Sequence, residues 1–253
     1  MNSKKDEKKD DKIGSCRLIE KSSPVQQHST KNKKLDPMII TFATQKGGTG
    51  KTTLAIAFAN YISAISERKI NVFDFDYQKS FYYKWKDDEL SESPKLYEVE
   101  IIGDEDQQPF SDFETLINLK DSDEINLFDL AGTLDAKYSD LLIYSDFIVI
   151  PFEYSDVSVK STLVFINMLG LLESEAERVF IRSKYDKGYK YLNQEGMDIE
   201  LKKFGLLLEN PVFKKNVLQK IDTRKLTYEQ KYGVRKSFDE LIEYINQTLK
   251  ITL

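Results

Sequence analysis

The 253-residue chain is poor in the groups on which many small proteins build a site. It holds one cysteine, Cys16, and one histidine, His28, both in a polar N-terminal stretch. A single thiol excludes an intrachain disulfide framework and leaves no second thiolate for a metal site. No run approaches the roughly twenty apolar residues that a membrane-spanning helix needs, and the N-terminal stretch is too polar for a signal-peptide core. A cytoplasmic protein with no membrane partner is expected. No internal repeat is visible, and no second domain interrupts the pattern.

Charge is present in both signs, but unevenly. The formal net charge is -5, yet residues 1–36 carry +4, residues 37–200 carry -14, residues 201–236 carry +7 and residues 237–253 carry -2. Residues 1–36, rich in Lys, Asp, Ser, Gln and Asn, read as a flexible polar tail. The basic stretch reads either as ordinary solvated surface or, if its cations share a face, as a holder of a phosphate backbone.

From Met38 onward, apolar runs alternate with helical patterns. Strands are expected at 38–44, 70–75, 97–102, 125–130, 147–150, 178–181 and 206–208, with Pro151 closing the fifth. Helices are expected over 52–66, 78–96 with a break at Ser93-Pro94, 110–119, 138–144, 157–172, 192–204 and 235–249. The last carries Phe238, Leu241, Ile242, Ile245 and Leu249 on one face and acids on the other, which suits a core helix better than a membrane anchor. This alternation predicts an α/β fold: a mainly parallel twisted sheet with helices on both faces.

The strongest local signal lies between the first strand and first helix: Lys46, Gly47, Gly48, Thr49, Gly50, Lys51, Thr52 and Thr53. Small residues let successive backbone N–H groups converge on phosphate oxygens, and the helix N-terminus adds partial positive charge. In such a loop Lys51 reaches the β and γ phosphates and Thr52 offers its hydroxyl to Mg²⁺. ATP with Mg²⁺ is the expected ligand. Two further stations end strands that feed the same crevice: Asp74-Phe75-Asp76-Tyr77-Gln78 and Asp129-Leu130-Ala131-Gly132-Thr133.

The strict phosphate-loop pattern calls for Gly where this chain has Gln45, and a lysine, Lys46, directly precedes the glycines. In these features the chain resembles the deviant Walker-A P-loop ATPases of the ParA/MinD type, above all plasmid and chromosome partition ATPases and the partition-like proteins of conjugative elements. The resemblance runs from about residue 37 to 245 and implies one P-loop ATPase domain over 37–253. It assigns Lys46 as the signature lysine that reaches a partner subunit's nucleotide, and Asp76 as the residue that orients the attacking water. It also puts Asp74 near the Mg²⁺ water shell, makes Asp129 the Walker-B carboxylate, and makes Ala131-Gly132 a γ-phosphate switch. Tyr77 stands where relatives carry proline.

Where relatives present an Asn to read adenine, this chain has Arg182-Ser183-Lys184, and Asn210-Pro211 is the substitute expected to bring backbone to the base. The resemblance further implies an ATP-state homodimer that associates with the nucleoid through non-specific double-stranded DNA. Lys214, Lys215, Arg224 and Lys225 are its expected contacts, and a centromere-binding or conjugation partner protein stimulates hydrolysis. Iron-protein relatives need body cysteines that are lacking here. A different class of function also fits: a non-hydrolysing, ATP-bound adaptor recruiting conjugation or segregation partners.

Overall fold

A computed structural model describes residues 38–101, 113–120, 122–133 and 135–253, all within one compact unit, Lys34–Leu253. The tail read over 1–36 lies outside the described residues, as does the start of the helix read at 110–119.

Seven strands form the sheet: β1 Met38–Phe42, β2 Ile70–Phe75, β3 Glu98–Ile101, β4 Ile125–Leu130, β5 Phe147–Phe152, β6 Glu177–Arg182 and β7 Leu206–Leu207. Every pairing is parallel, in the order β3-β2-β4-β1-β5-β6-β7. The helices are α1 Lys51–Ser63, α2 Ser80–Asp87, α3 Phe113–Lys120, α4 Ser139–Tyr144, α5 Asp156–Leu171, α6 Gln194–Leu201, α7 Asn216–Gln219 and α8 Tyr228–Leu249. Short 3₁₀ turns at Asp88–Leu90 and Ala136–Tyr138 extend α2 and precede α4.

The near-continuous apolar runs of β1, β4 and β5 are fully buried because both faces of the sheet are covered. Alternation along β1 divides the core in two. Met38, Ile40 and Phe42 pack with apolar residues of α1, α2 and α8, whereas Ile39 packs with those of α4, α5 and α6. Phe58 of α1 touches both Phe42 and Phe238, with ring centroids 5.8 and 5.2 Å away, and so ties β1 to α8. All strands therefore present their carboxyl ends on one edge, where an open α/β sheet forms its ligand crevice.

Several boundaries differ from the sequence pattern for local physical reasons. β5 continues through Pro151 to Phe152. Pro151 shares the side of Val149, whose carbonyl accepts from Ala43 N, and β1 ends at Phe42, so the missing N–H of proline faces a neighbour that is turning away. α2 stops at Asp87, well short of Leu96, where other side chains capture its carbonyls. α8 begins at Tyr228, seven residues before the expected Arg235. Its start is a capping box: Thr227 Oγ1 accepts from Gln230 N, and Gln230 Oε1 accepts from Thr227 N.

Candidate nucleotide site

β1 ends at Phe42, and residues 43–50 lead as a tight loop into α1. Gly48 and Gly50 have φ of +80° and +86°, left-handed values that side chains rarely adopt. A Cβ at Gly50 would also come within 3.1 Å of Ser183 Oγ. No atom lies within 4 Å of the Cβ that Gly47 or Gly48 would carry, so the loop's outer face is open to a ligand.

Lys51 and Asp129 meet at the base of this loop. Lys51 is 7% exposed and Asp129 not at all, and Lys51 Nζ donates to Asp129 Oδ1 at 2.6 Å. Burial raises the Asp129 carboxyl above its ordinary range, and the Lys51 charge pulls it back. Asp129 Oδ2 is buried without a hydrogen-bond partner, as are the Oγ1 atoms of Thr44 and Thr49 and Oε1 of Gln45. Buried polar atoms are costly to leave unpaired, and this cluster of them beside the loop marks a place made for a ligand.

Asp74 sits beside Asp129 on the neighbouring strand, in register. Its carboxylate is fully buried and accepts from Asp76 N at 3.0 Å and Tyr82 N at 2.9 Å, which bends the loop after β2 into the start of α2. Burial first, and then the Asp129 charge, push its carboxyl up to about 6. Asp76 is half-buried, accepts from Gln78 N, and adds its charge to those raising Asp129. Magnesium fits this donor set. Among the described residues no group of three or more His, Cys, Asp or Glu side chains could hold a metal by itself, so a cation here needs phosphate oxygens as well. Asp129 Oδ2 and the Thr52 hydroxyl are the protein oxygens suited to it.

Ala131-Gly132 approaches the phosphate loop closely. A Cβ on Gly132 would lie 3.0 Å from Gly47 N and 3.2 Å from Lys46 C, so any side chain here would press on the loop backbone. Beyond it, Tyr77 OH donates to Asp135 Oδ2 at 3.1 Å. Lys137 Nζ donates to the same hydroxyl and lies 3.7 Å from the ring centroid. Tyr138 OH donates to Phe75 O at 2.9 Å. The loops after β2 and β4 are thus tied together at two points, and the tyrosine in the proline position makes one of them.

Lys46 is half-buried and its amine donates to Ser155 Oγ, 3.3 Å away at the start of α5. No acidic side chain is paired with it in the described contacts, in contrast to Lys51.

Next to the loop lies a cavity of 460 Å³ lined by Gly50, Thr53, Ser183, Asp186, Tyr189 and Phe213 among others. Lys184 spans its mouth: its amine donates to Gly48 O and pairs with Glu153 Oε1 at 3.1 Å. Asn210-Pro211 does not line it. Asn210 is turned away, its backbone and side-chain N–H groups donating to the Glu240 carboxylate on α8 at 3.1 and 3.0 Å. Val212 and Phe213, two positions further on, line the cavity in its place. In the sequence Ser183-Lys184 stands out only as a departure from the expected Asn, because nothing in the chain's order reveals that β6 ends beside Gly50.

The candidate DNA contacts divide. Lys214 and Lys225 are exposed and Lys215 half-buried. Arg224 is a correction: it is 3% exposed and points inward, Nε donating to Asp88 O and Nη2 to Trp85 O. It donates to one carbonyl of α2 and one of the 3₁₀ turn that follows, where Asp88 O also accepts from Ser91 N. Thr223 joins it, donating through N and Oγ1 to Asp88 Oδ2.

The sequence matches the CobQ/CobB/MinD/ParA nucleotide binding domain over residues 40–250. The chain belongs to this family. No curated protein matches it in sequence. Among solved structures it is similar to a Borrelia burgdorferi B31 protein assigned to plasmid partition and bound to AMPPNP, with 18% identity and a TM-score of 0.63, covering 84% of this chain and 99% of that one. A Cyanothece McdA variant in complex with ATP gives 15%, 0.59, 87% and 98% for the same measures. A pNOB8 ParA bound to nonspecific DNA gives 13%, 0.54, 83% and 99%. At these identities the likeness is one of fold. The matched residues include the 43–50 loop and α1. Among the described residues, no helix is long and apolar enough to cross a membrane.

Proposed function

We propose that the chain is a partition-type ATPase whose ATP-bound form dimerises, binds DNA through its basic C-terminal surface, and positions or segregates a DNA cargo when a partner protein stimulates hydrolysis. The observation that carries this reading is the contrast between the two lysines of the loop. Lys51 is buried against Asp129, whereas Lys46 reaches outward to Ser155 with no acidic partner among the described contacts. The first suits phosphate binding within a subunit, the second a contact made after subunits meet.

On nucleotide binding, Lys51 would exchange one Asp129 oxygen for phosphate oxygens, and the backbone N–H groups of 47–52 would surround the phosphates. Thr52 and Asp129 would hold Mg²⁺, with Asp74 behind them; bound there, the ion supplies charge stabilisation for the transferring phosphoryl group. Asp76 would orient the attacking water. Gly132, against Gly47, would follow the γ-phosphate and pass its movement to the 135–138 segment. Lys46 from a second subunit would add transition-state charge. The relatives solved with AMPPNP, with ATP and with nonspecific DNA support this reading by fold. We place the protein on the nucleoid in its ATP state.

The test is to measure dimerisation by light scattering, and DNA binding across a salt series, with ADP, ATP and a slowly hydrolysed analogue. Dimers with ATP and salt-sensitive DNA binding are expected. Monomers in every nucleotide state would sink the reading. Lys46→Ala should spare nucleotide affinity and impair dimers and turnover, and Asp76→Ala should leave an ATP-bound dimer that turns over poorly. Dimers and DNA binding with no hydrolysis, even with DNA and a cognate partner, would favour the adaptor function.

A further inference from the structure

The surface at the start of α8 carries a feature that phosphate contacts alone do not require. Tyr228 and Tyr232 are 84% and 70% exposed. They stand four residues apart on one helix, so they are neighbours on the same face. With Lys215, Asn216, Val217 and Glu229 they line a groove of 330 Å³ between α7 and α8. Lys215 runs along its wall: its Cδ lies 3.5 Å from where a Cβ of Gly233 would be, and its amine sits 5.0 Å from the Tyr232 ring centroid.

This platform is rigid. The Thr227–Gln230 capping box fixes the first turn of α8, and Gln230 Nε2 donates to Val217 O at 2.9 Å, locking α8 to α7. Lys214, next to Lys215 in the chain, and Lys225, three residues before Tyr228, are exposed cations.

We propose that this groove is a stacking platform for unpaired nucleobases, taking single-stranded nucleic acid with Tyr228 and Tyr232 against the bases and Lys215, Lys214 and Lys225 along the phosphates. The inference rests on reading the basic surface as one that faces nucleic acid. In a duplex the bases are already stacked and closed to such rings, so duplex binding uses the lysines and leaves the tyrosines idle. Unpaired bases offer π-faces of any sequence, and aromatic rings beside cations are how proteins hold them. The polar wall of Lys215, Asn216 and Glu229 gives an apolar partner helix few surfaces to bury. Glu229 repels phosphate and so directs the backbone to the Lys215 side, leaving the bases over the rings.

The experiment measures fluorescence anisotropy of labelled oligo-dT and of a mixed-sequence duplex of equal length, with the full chain and a slowly hydrolysed ATP analogue. Tyr228→Ala and Tyr232→Ala should each weaken oligo-dT binding by about 5- to 150-fold and leave duplex affinity unchanged. The Tyr→Phe variants, which keep the ring, should retain oligo-dT binding. Oligo-rU bound with the same tyrosine dependence would support the platform equally. Equal losses on both probes, or no loss on either, would overturn it. Duplex binding without oligo-dT binding overturns the platform and leaves the proposed function standing. Failure to dimerise with ATP, measured without nucleic acid, overturns that function and leaves the tyrosine effect intact.

Discussion

Two charged regions of this molecule use lysine in opposite ways. At the carboxyl ends of β1, β2 and β4 the charges are buried and held: Lys51 against Asp129, and Asp74 between two backbone N–H groups. Across α7 and the start of α8, Lys214 and Lys225 meet water. Arg224 lies beside Lys225 in the chain but is buried like Lys51, held by the carbonyls of Trp85 and Asp88. The sign of a charge says little about its work; its desolvation says much more. A buried cation serves one defined partner and is costly to lose, whereas an exposed one contributes to a field and can be removed at small cost.

The largest effect expected from this contrast is at Lys51. Lys51→Ala strands a buried carboxylate, and denaturant unfolding should show a loss of about 3–5 kcal/mol, together with loss of nucleotide binding by calorimetry. A variant of near-native stability would break the distinction between the regions.

Next is a pH effect peculiar to the buried side. The folded-state value of Asp74, about 6, stands above its ordinary 3.8, so the folded chain holds the extra proton between those values. Its contribution to stability is therefore present below about pH 4 and lost as pH rises through 6, an effect of about 3 kcal/mol. Thermal unfolding of nucleotide-free protein across this window checks the sign. With Mg²⁺ and nucleotide bound, the added positive charge should flatten the slope.

Arg224→Ala and Lys225→Ala sharpen the comparison at adjacent positions. The first should cost about 1.5–3 kcal/mol in unfolding free energy, since it removes charged donors from buried carbonyls. The second should stay within about 0.5 kcal/mol but lower the salt dependence of DNA binding by about one unit of slope. The smallest effect is at Tyr77→Phe, which removes the hydroxyl shared by Asp135 and Lys137 on an exposed ring. A stability loss of at most about 1 kcal/mol is expected, while hydrolysis should become less dependent on dimerisation.

Much of the fold was legible because its signals are local. Buried parallel strands need near-continuous apolar runs, and Met38–Phe42 and Phe147–Phe152 carry them. The start of α8 is also written locally, in the Thr227–Gln230 capping box, seven residues ahead of the expected Arg235. The end of α2 was legible only in part: Ser93-Pro94 marks a break, but the helix ends earlier, at Asp87, beside contacts from Thr223 and Arg224, more than a hundred residues away along the chain. Pro151 misled for a related reason. Whether a proline ends a strand depends on whether a neighbour still waits for its N–H, and only the sheet order decides that.

The sequence by itself determined the Gly-rich loop between β1 and α1, the extra lysine before its glycines, the order of strands and of every helix but α7, and the positions of Asp74, Asp76 and Asp129 at strand ends. These follow from residues adjacent in the chain, whose spacing already specifies backbone direction and periodicity. The tertiary structure alone decided that Lys51 pairs with Asp129, that Val212-Phe213 rather than Asn210-Pro211 lines the cavity beside the loop, and that Arg224 turns inward while Lys225 faces water. Those outcomes depend on which distant segment desolvates a given group, and no local pattern of charge or hydrophobicity encodes which segment that will be.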